Sequence, residues 1–323
     1  MAIPVTLGID IGGTNSKLGL VDSEGNCLES STMPTHANED ISVFIGHLME
    51  EISKIREAIE QEVEVLGVGI GAPNANYYSG QIEKAPNLHW GDAIPLAAIV
   101  KERLQLPVWI TNDANAAAIG EMKFGAAKGV KDFVVVTLGT GLGSGIVMDG
   151  DLVYGHDGFA GELGHTTVDP NGRDHTTNRK GSLETYVSAT GIVRTAFDLM
   201  ANRIHASRMR KLNFEQLTSK IVTEEALKGD RIALETCEMT GKYLGTALVN
   251  TILLCNPERI ILFGGPTAAG DLLLIPTLKY LNQGLPIHRR NKTSVVISSM
   301  KGSNTAVLGA SALAWDEMEK VKV

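Results

Sequence analysis

Cysteine is scarce in this chain. Among 323 residues only Cys27, Cys237 and Cys255 carry thiols. They are widely separated, lack metal-ligand spacing and are too few for a disulfide framework, which fits a reducing cytoplasm. Long apolar runs are missing too. None approaches the roughly 18 residues that a membrane span needs, and no signal peptide precedes the first predicted strand. Positive charge is in deficit, with 29 Lys and Arg against 37 Asp and Glu, a net charge of −8 and a pI near 5.5. Such a balance argues against a nucleic-acid surface, which needs clustered positive charge. The one basic cluster, Arg203, Arg208, Arg210 and Lys211, reads as a solvated helix face or loop. No Gly-x-Gly-x-x-Gly joins a strand directly to a helix with an acidic residue downstream, which disfavours a Rossmann dehydrogenase. Asn291-Lys-Thr293 matches a glycosylation sequon, but without a secretory signal the match is chance.

Glycine, by contrast, is plentiful and patterned. Gly8-Ile-Asp-Ile-Gly-Gly-Thr-Asn-Ser-Lys17 and Thr137-Leu-Gly-Thr-Gly-Leu-Gly-Ser-Gly145 share one layout. Each follows an apolar, β-branched run, Val5 to Ile11 and Phe133 to Thr137, and leads into a second, Leu18 to Val21 and Ile146 to Met148. The pattern predicts two β-hairpins closed by glycine turns. Glycine permits positive φ and close backbone approach, so N–H groups can converge on phosphate oxygens. Thr14 and Lys17 can complete the first cradle, and Thr137, Thr140 and Ser144 the second. Either turn alone is equally an ordinary hairpin. Two copies, each with an interior Gly-Thr, favour bound phosphate.

Between and beyond these turns, strands alternate with helices. Asp40 can cap a helix whose apolar positions, Ile41, Phe44, Ile45, Leu48, Ile52, Ile55 and Ile59, follow the helical period. Strands are predicted over Val63 to Ile70, Leu106 to Thr111, Arg259 to Phe263 and Ser294 to Ser298. Helices are predicted around Leu96 to Leu104, over Ala114 to Phe124, from about Asp230 to Leu254 and over Asn304 to Met318. Small residues in the last of these (Ala306, Gly309, Ala310, Ala312) predict a close-packed helix that returns to the N-terminal domain. Alternating strands and helices with glycines at strand ends indicate an α/β fold that binds ligands at those ends. The length suits two domains.

The candidate chemistry sits at such ends. Asn112-Asp113 joins a strand to a helix, where a carboxylate can accept the proton of an attacking hydroxyl, or merely cap the helix. Phosphoryl transfer needs chiefly a base, Mg²⁺ and phosphate-binding amides. Asp10, on the first strand, can reach the metal or its water. Glu162 and His165, three residues apart, and Glu184 suit a polyhydroxylated ligand, since carboxylates accept from vicinal hydroxyls while imidazole both donates and accepts. Glu162 and His165 also fit a capping or surface pair, and two carboxylates also raise a metal-site reading.

Taken together, Ile9-Asp-Ile-Gly-Gly-Thr14, Asn112-Asp113, Leu138-Gly-Thr-Gly-Leu-Gly143, Gly161-Glu-Leu-Gly-His165, Leu183-Glu184 and Leu262-Phe-Gly-Gly265 resemble the ROK family of bacterial sugar kinases and repressors, in order and spacing over nearly the whole chain. The resemblance implies a two-lobed actin-like and hexokinase-like α/β fold with a duplicated glycine-hairpin core. The implied lobes are residues 1–113 with about 301–323, and 114–300. ATP and sugar would meet in a cleft. On this resemblance Asp113 is the general base, and Gly71, Asn87, Asn112, Glu162, His165 and Glu184 line the sugar pocket. ATP with Mg²⁺ falls to Asp10, Gly12, Gly13, Thr14, Asn15 and Lys17, to Thr137, Gly139, Thr140, Gly141 and Gly143, and to Gly264 and Gly265 on the adenosine side. The implied activity is a cytoplasmic ATP-dependent hexokinase, foremost a glucokinase making glucose 6-phosphate. N-acetylmannosamine, N-acetylglucosamine, mannose, fructose and allose remain alternative acceptors. A sugar-responsive transcriptional regulator is disfavoured, because repressors resembling the family carry a helix-turn-helix domain ahead of the first glycine motif. Neither nucleic acid nor membrane is an expected partner, and relatives suggest a homodimer or homotetramer.

One departure stands out. Family members usually carry zinc on one histidine and three cysteines, in a Cys-x-Cys-Gly-x-x-Gly-Cys pattern. Here His165 matches the histidine, but His175, Thr177 and Ser182 occupy the cysteine positions. Hydroxyls are poor zinc ligands, so the expectation is that no structural zinc binds.

Overall fold

The computed structural model describes residues 2–300, 302 and 304–321. The chain forms two compact units. Unit 1 comprises Met1–Val130, Gly145–Ala160 and Ser298–Val323; unit 2 comprises Lys131–Ser144 and Gly161–Ile297.

Unit 1 is built on strands β1 (Ile3–Ile11), β2 (Asn15–Asp22), β3 (Cys27–Pro34), β4 (Val63–Gly71) and β8 (Val108–Thr111), in the order β3-β2-β1-β4-β8. The first three strands are antiparallel, and β4 and β8 add parallel to β1. Helix α1 (Ile41–Glu57) is capped by Asp40, whose carboxylate accepts from the Ser42 N–H, and it buries Phe44, Ile45, Leu48, Ile52 and Ile55 in the sheet's apolar core. The short strands β5 (Ala75–Asn76), β6 (Gln81–Glu83) and β7 (Ala93–Ile94) form a small separate sheet before helix α2 (Leu96–Leu104).

After β8 the chain turns into α3 (Asp113–Phe124). Unit 2 follows with β9 (Phe133–Leu138), while β10 (Leu142–Met148) and β11 (Asp151–Leu152) lead back into unit 1. Helices α4 (Glu184–Val187), α5 (Ala189–Asn202), α6 (Ser219–Leu227) and α7 (Arg231–Cys255) come next, then β12 (Arg259–Phe263), α8 (Asp271–Gly284) and β13 (Ser294–Ile297). β9, β12 and β13 are parallel, and the second sheet runs β11-β10-β9-β12-β13. That is the order of the first sheet repeated. In unit 2, α5, α6 and α7 share a core of Ile192, Val193, Leu199, Val222 and Ile232.

The C-terminal helix α9 (Thr305–Val321) belongs to unit 1. A Cβ on Gly69 would lie 1.8 Å from the Ala310 carbonyl oxygen, so only glycine there allows the helix onto the sheet. The small residues of α9 serve the same approach, because Gly309 abuts Gly120 of α3. This packing keeps α3 in unit 1, whereas the sequence suggested a break after residue 113.

Several elements escape the sequence patterns, and β3 and α8 show two reasons. β3 buries only Met33 of its eight residues, so it shows no apolar alternation. Helix α8 contains Pro276, which removes a backbone donor and reads as a helix breaker. The basic cluster is exposed, in a loop and a short 3-10 turn, as expected of a solvated segment, and two of its arginines are also tied down. Arg210 donates to the carbonyls of Met200, Arg203 and His205, and Arg203 pairs with Glu235.

Candidate active site

The site residues fall into two groups, one in each unit. In unit 1, the first glycine turn links β1 to β2, closed by the Gly12 N–H donating to the Asn15 carbonyl at 3.1 Å. Gly12 and Gly13 lie outside the positive-φ glycines. What glycine supplies here is room. A Cβ on Gly13 would come 2.9 Å from the Cβ of Asn87, which places that sugar-ligand candidate against the phosphate-turn candidate. Thr14 and Asn15 are exposed, and Lys17 stands opposite Asp10 in the antiparallel register.

Asn112, in extended backbone, is the N-cap of α3, its side chain accepting from the Ala114 N–H at 2.8 Å. Asn112 therefore takes the capping role, and Asp113 becomes the first helical residue. Its Oδ1 also accepts from the Ala114 N–H at 2.8 Å. Gly71, at the end of β4, completes the group. A Cβ there would lie 3.8 Å from the Asp113 Cα and 4.0 Å from Asp10 Oδ1.

Both carboxylates are shifted. Crowding by protein raises the Asp113 pKa, only partly offset by the N–H it accepts from. Asp113 nevertheless remains accessible to solvent. Asp10 is pushed up to about 6, by burial first and then by the charge of Asp113, against the opposing pull of Lys17. A stronger base with an open face is what proton abstraction requires. Two mutually repelling carboxylates are also a donor set that a divalent cation relieves. The residues therefore fit Mg²⁺, with Asp10 as the nearest holder.

In unit 2, the second glycine turn links β9 to β10. The Gly139 N–H donates to the Gly141 carbonyl, and the Gly143 N–H to Thr137 Oγ1. Gly139, Gly141 and Gly143 are likewise outside the positive-φ set. Gly264 does have positive φ, at 107°, and a Cβ there would lie 2.1 Å from the Leu138 carbonyl oxygen. Thus the Gly264-Gly265 turn is seated on the end of β9. Thr140, in the turn itself, is exposed.

Glu184 touches this turn. Its Oε2 accepts from the Leu142 N–H at 2.8 Å, and a Cβ on Gly141 would meet the same oxygen at 2.6 Å. Ser144, a candidate phosphate hydroxyl by sequence, instead donates to the Gly161 carbonyl and so fastens the Glu162 loop. Glu162 and His165 stand 3.6 Å apart with side chains 48% and 36% exposed. His175, which the sequence marked only as a replaced cysteine, hydrogen-bonds Glu184 Oε1 through Nε2 at 2.8 Å. No local signal announces this pairing, because the partners lie nine positions apart across a loop.

The zinc donor set does not fit. Both ring nitrogens of His175 are engaged, with Glu184 and with Thr177 Oγ1. Thr177 and Ser182 offer hydroxyls where thiolates would be needed. Among the described residues no group of three or more His, Cys, Asp or Glu could hold a metal ion.

These paired glycine turns, each carrying its acid, match a family model over residues 6–317, the ROK family. The chain belongs to the ROK family. It is similar to a glucokinase of Halalkalibacterium halodurans, 36% identical over 84% of this chain and 83% of that one. It is also similar to the crystal structure of a ROK family glucokinase from Streptomyces griseus in complex with glucose and AMPPNP, with a TM-score of 0.81, 32% identity and coverage of 97% and 99% of the two chains. A xylose repressor of Caldicellulosiruptor bescii is 29% identical over 97% of this chain and 78% of its own length. The ROK assignment confirms the mixed α/β, actin-like and hexokinase-like fold. As a family member this chain lacks the zinc cysteines, and no helix among its described residues is long and apolar enough to cross a membrane.

Proposed function

We propose that this ROK protein is a cytoplasmic ATP-dependent glucokinase that transfers the γ-phosphoryl group to the 6-hydroxyl of glucose. The observation that carries the reading is Asp113, a carboxylate of raised pKa with an open face, at the head of α3 and beside Gly71. In this scheme Asp113 accepts the proton of the sugar 6-hydroxyl, O6 attacks the γ-phosphorus, and the bond to the bridging oxygen breaks to leave ADP. Asn87, Glu162, His165 and Glu184 accept and donate hydrogen bonds to the remaining hydroxyls. The backbone of the two glycine turns, with Thr14, Lys17, Thr137 and Thr140, receives the triphosphate. Mg²⁺, when bound near Asp10, supplies charge neutralisation on the phosphate oxygens. The hydrogen bonds of Arg173 and Ser144 order the sugar loop, with no structural zinc.

A coupled ADP-release assay over glucose, mannose, fructose, allose, N-acetylglucosamine and N-acetylmannosamine tests this. The highest kcat/KM is expected for glucose; a preference for an N-acetylhexosamine would overturn the acceptor assignment. Similarity to the xylose repressor favours a second reading, a sugar-responsive regulator. A shifted DNA band at low salt, where non-specific contacts are strongest, would support it; the net charge of −8 predicts none.

A further inference from the structure

The loop that replaces the zinc motif does not leave its cysteine positions idle. His175 is nearly enclosed, with 7% of its side chain exposed, and the His165 ring stands edge-on to it, centroids 5.3 Å apart. The Thr177 backbone N–H donates to His175 Nδ1 at 3.2 Å, and the Thr177 hydroxyl lies 2.7 Å from the same nitrogen. A nitrogen that accepts from an N–H carries no proton, so the ring hydrogen sits on Nε2. Nε2–H therefore donates to Glu184 Oε1 at 2.8 Å. The other carboxylate oxygen is held by the Leu142 N–H, so both oxygens of Glu184 have a fixed donor.

We propose that His175 is a positioning residue for sugar binding: as its Nε2–H tautomer, set by Thr177, it orients the Glu184 carboxylate toward the hydroxyls of the acceptor sugar. Two former cysteine positions are thereby reused, one as the donor and one as the group that fixes the donor's tautomer. The loop is anchored independently of this pair. The Arg173 guanidinium donates to the carbonyls of Thr185 and Gly191 and pairs with Asp198 at 2.6 Å. It also lies 4.6 Å from the centroid of the Tyr186 ring. Removing the His175 donor should therefore free Glu184 without unfolding the loop.

The proposal rests on Glu184 as a sugar ligand, and the experiment separates the two claims. Steady-state kinetics are measured on the full chain for His175→Leu, His175→Gln, Glu184→Ala and the double variant His175→Leu/Glu184→Ala, with thermal melts confirming folding. Loss of a hydrogen bond to a charged group predicts that His175→Leu raises the glucose KM by about tenfold. Its kcat and its KM for ATP should stay within about threefold. Glutamine keeps an N–H donor near the Nε2 position, so His175→Gln should recover most of the lost affinity. The double variant should be no worse than Glu184→Ala, because His175 acts only through that carboxylate. An unchanged glucose KM in Glu184→Ala overturns the ligand assignment and the proposal with it. A raised KM in Glu184→Ala together with a wild-type KM in His175→Leu overturns the proposal alone. If His175→Leu fails to fold, His175→Gln decides: near-wild-type KM supports the proposal, and a KM as high as that of Glu184→Ala overturns it. One zinc per chain, removable by chelation with the same rise in KM, would make His175 a metal ligand and refute the positioning role.

Discussion

The two five-stranded sheets share one strand order, yet their glycine turns carry different chemistry. In unit 1, burial raises the pKa of both Asp10 and Asp113, and the charge of Asp113 raises that of Asp10 further. In unit 2, Glu184 is held on both oxygens, by Leu142 and His175. Repeated topology therefore sets an acid near a glycine turn in each unit, and the neighbours decide whether that acid is crowded and shifted or held by fixed donors.

The sharpest break of this contrast is at Asp113. Asp113→Asn should lower kcat by at least about 10²-fold while glucose still binds, as loss of a general base requires; unchanged turnover would remove Asp113 from the role. Asp10→Asn should lower kcat by about tenfold or more through weakened charge neutralisation, read as a higher Mg²⁺ requirement. The same change should stabilise the ligand-free protein. An Asp pKa raised from 3.8 to about 6 means that the folded state resists ionisation, so the cost is absent below about pH 4 and fully present above about pH 6. Replacing the group should therefore raise stability by roughly 3 kcal/mol at pH 7 to 8, with no gain at pH 4, in urea melts. A gain that grew as pH fell would reverse the sign and refute the buried-charge account.

Smaller effects distinguish the two turns. Gly141→Ala drives a Cβ to 2.6 Å of Glu184 Oε2, and should raise the glucose KM several-fold. Gly13→Ala meets Asn87, an exposed residue, at 2.9 Å, and its effect on the same constant should be about twofold to threefold. Equal effects would show that Asn87 is held as firmly as Glu184. Least of all, Asn112→Ala removes the α3 cap and should cost about 1 kcal/mol in unfolding experiments.

Much of this architecture is legible locally. β-branched runs flanking Gly12-Gly13 and Gly139-Thr-Gly141 mark both hairpins, and Asn112 marks the start of α3, because strand propensity, turn chemistry and capping act over a few residues. β3 and α8 are hidden where local signals mislead: one edge strand with little apolar content, and one helix that accommodates Pro276. Ser144 shows the same limit at the site. Its hydroxyl reads as a phosphate contact from its place in the glycine turn, but packing gives it to the Gly161 carbonyl.

By itself the sequence determined the two hairpins, the helix that begins at Asp113, the family and the missing zinc cysteines, since each is written in contiguous residues or fixed spacings. Only the tertiary structure decided that α9 closes on Gly69, that Asp10 feels the charge of Asp113, and that His175 holds Glu184. Those facts depend on burial and on distances between segments far apart in the chain, and no periodicity or motif encodes a distance that folding has yet to create.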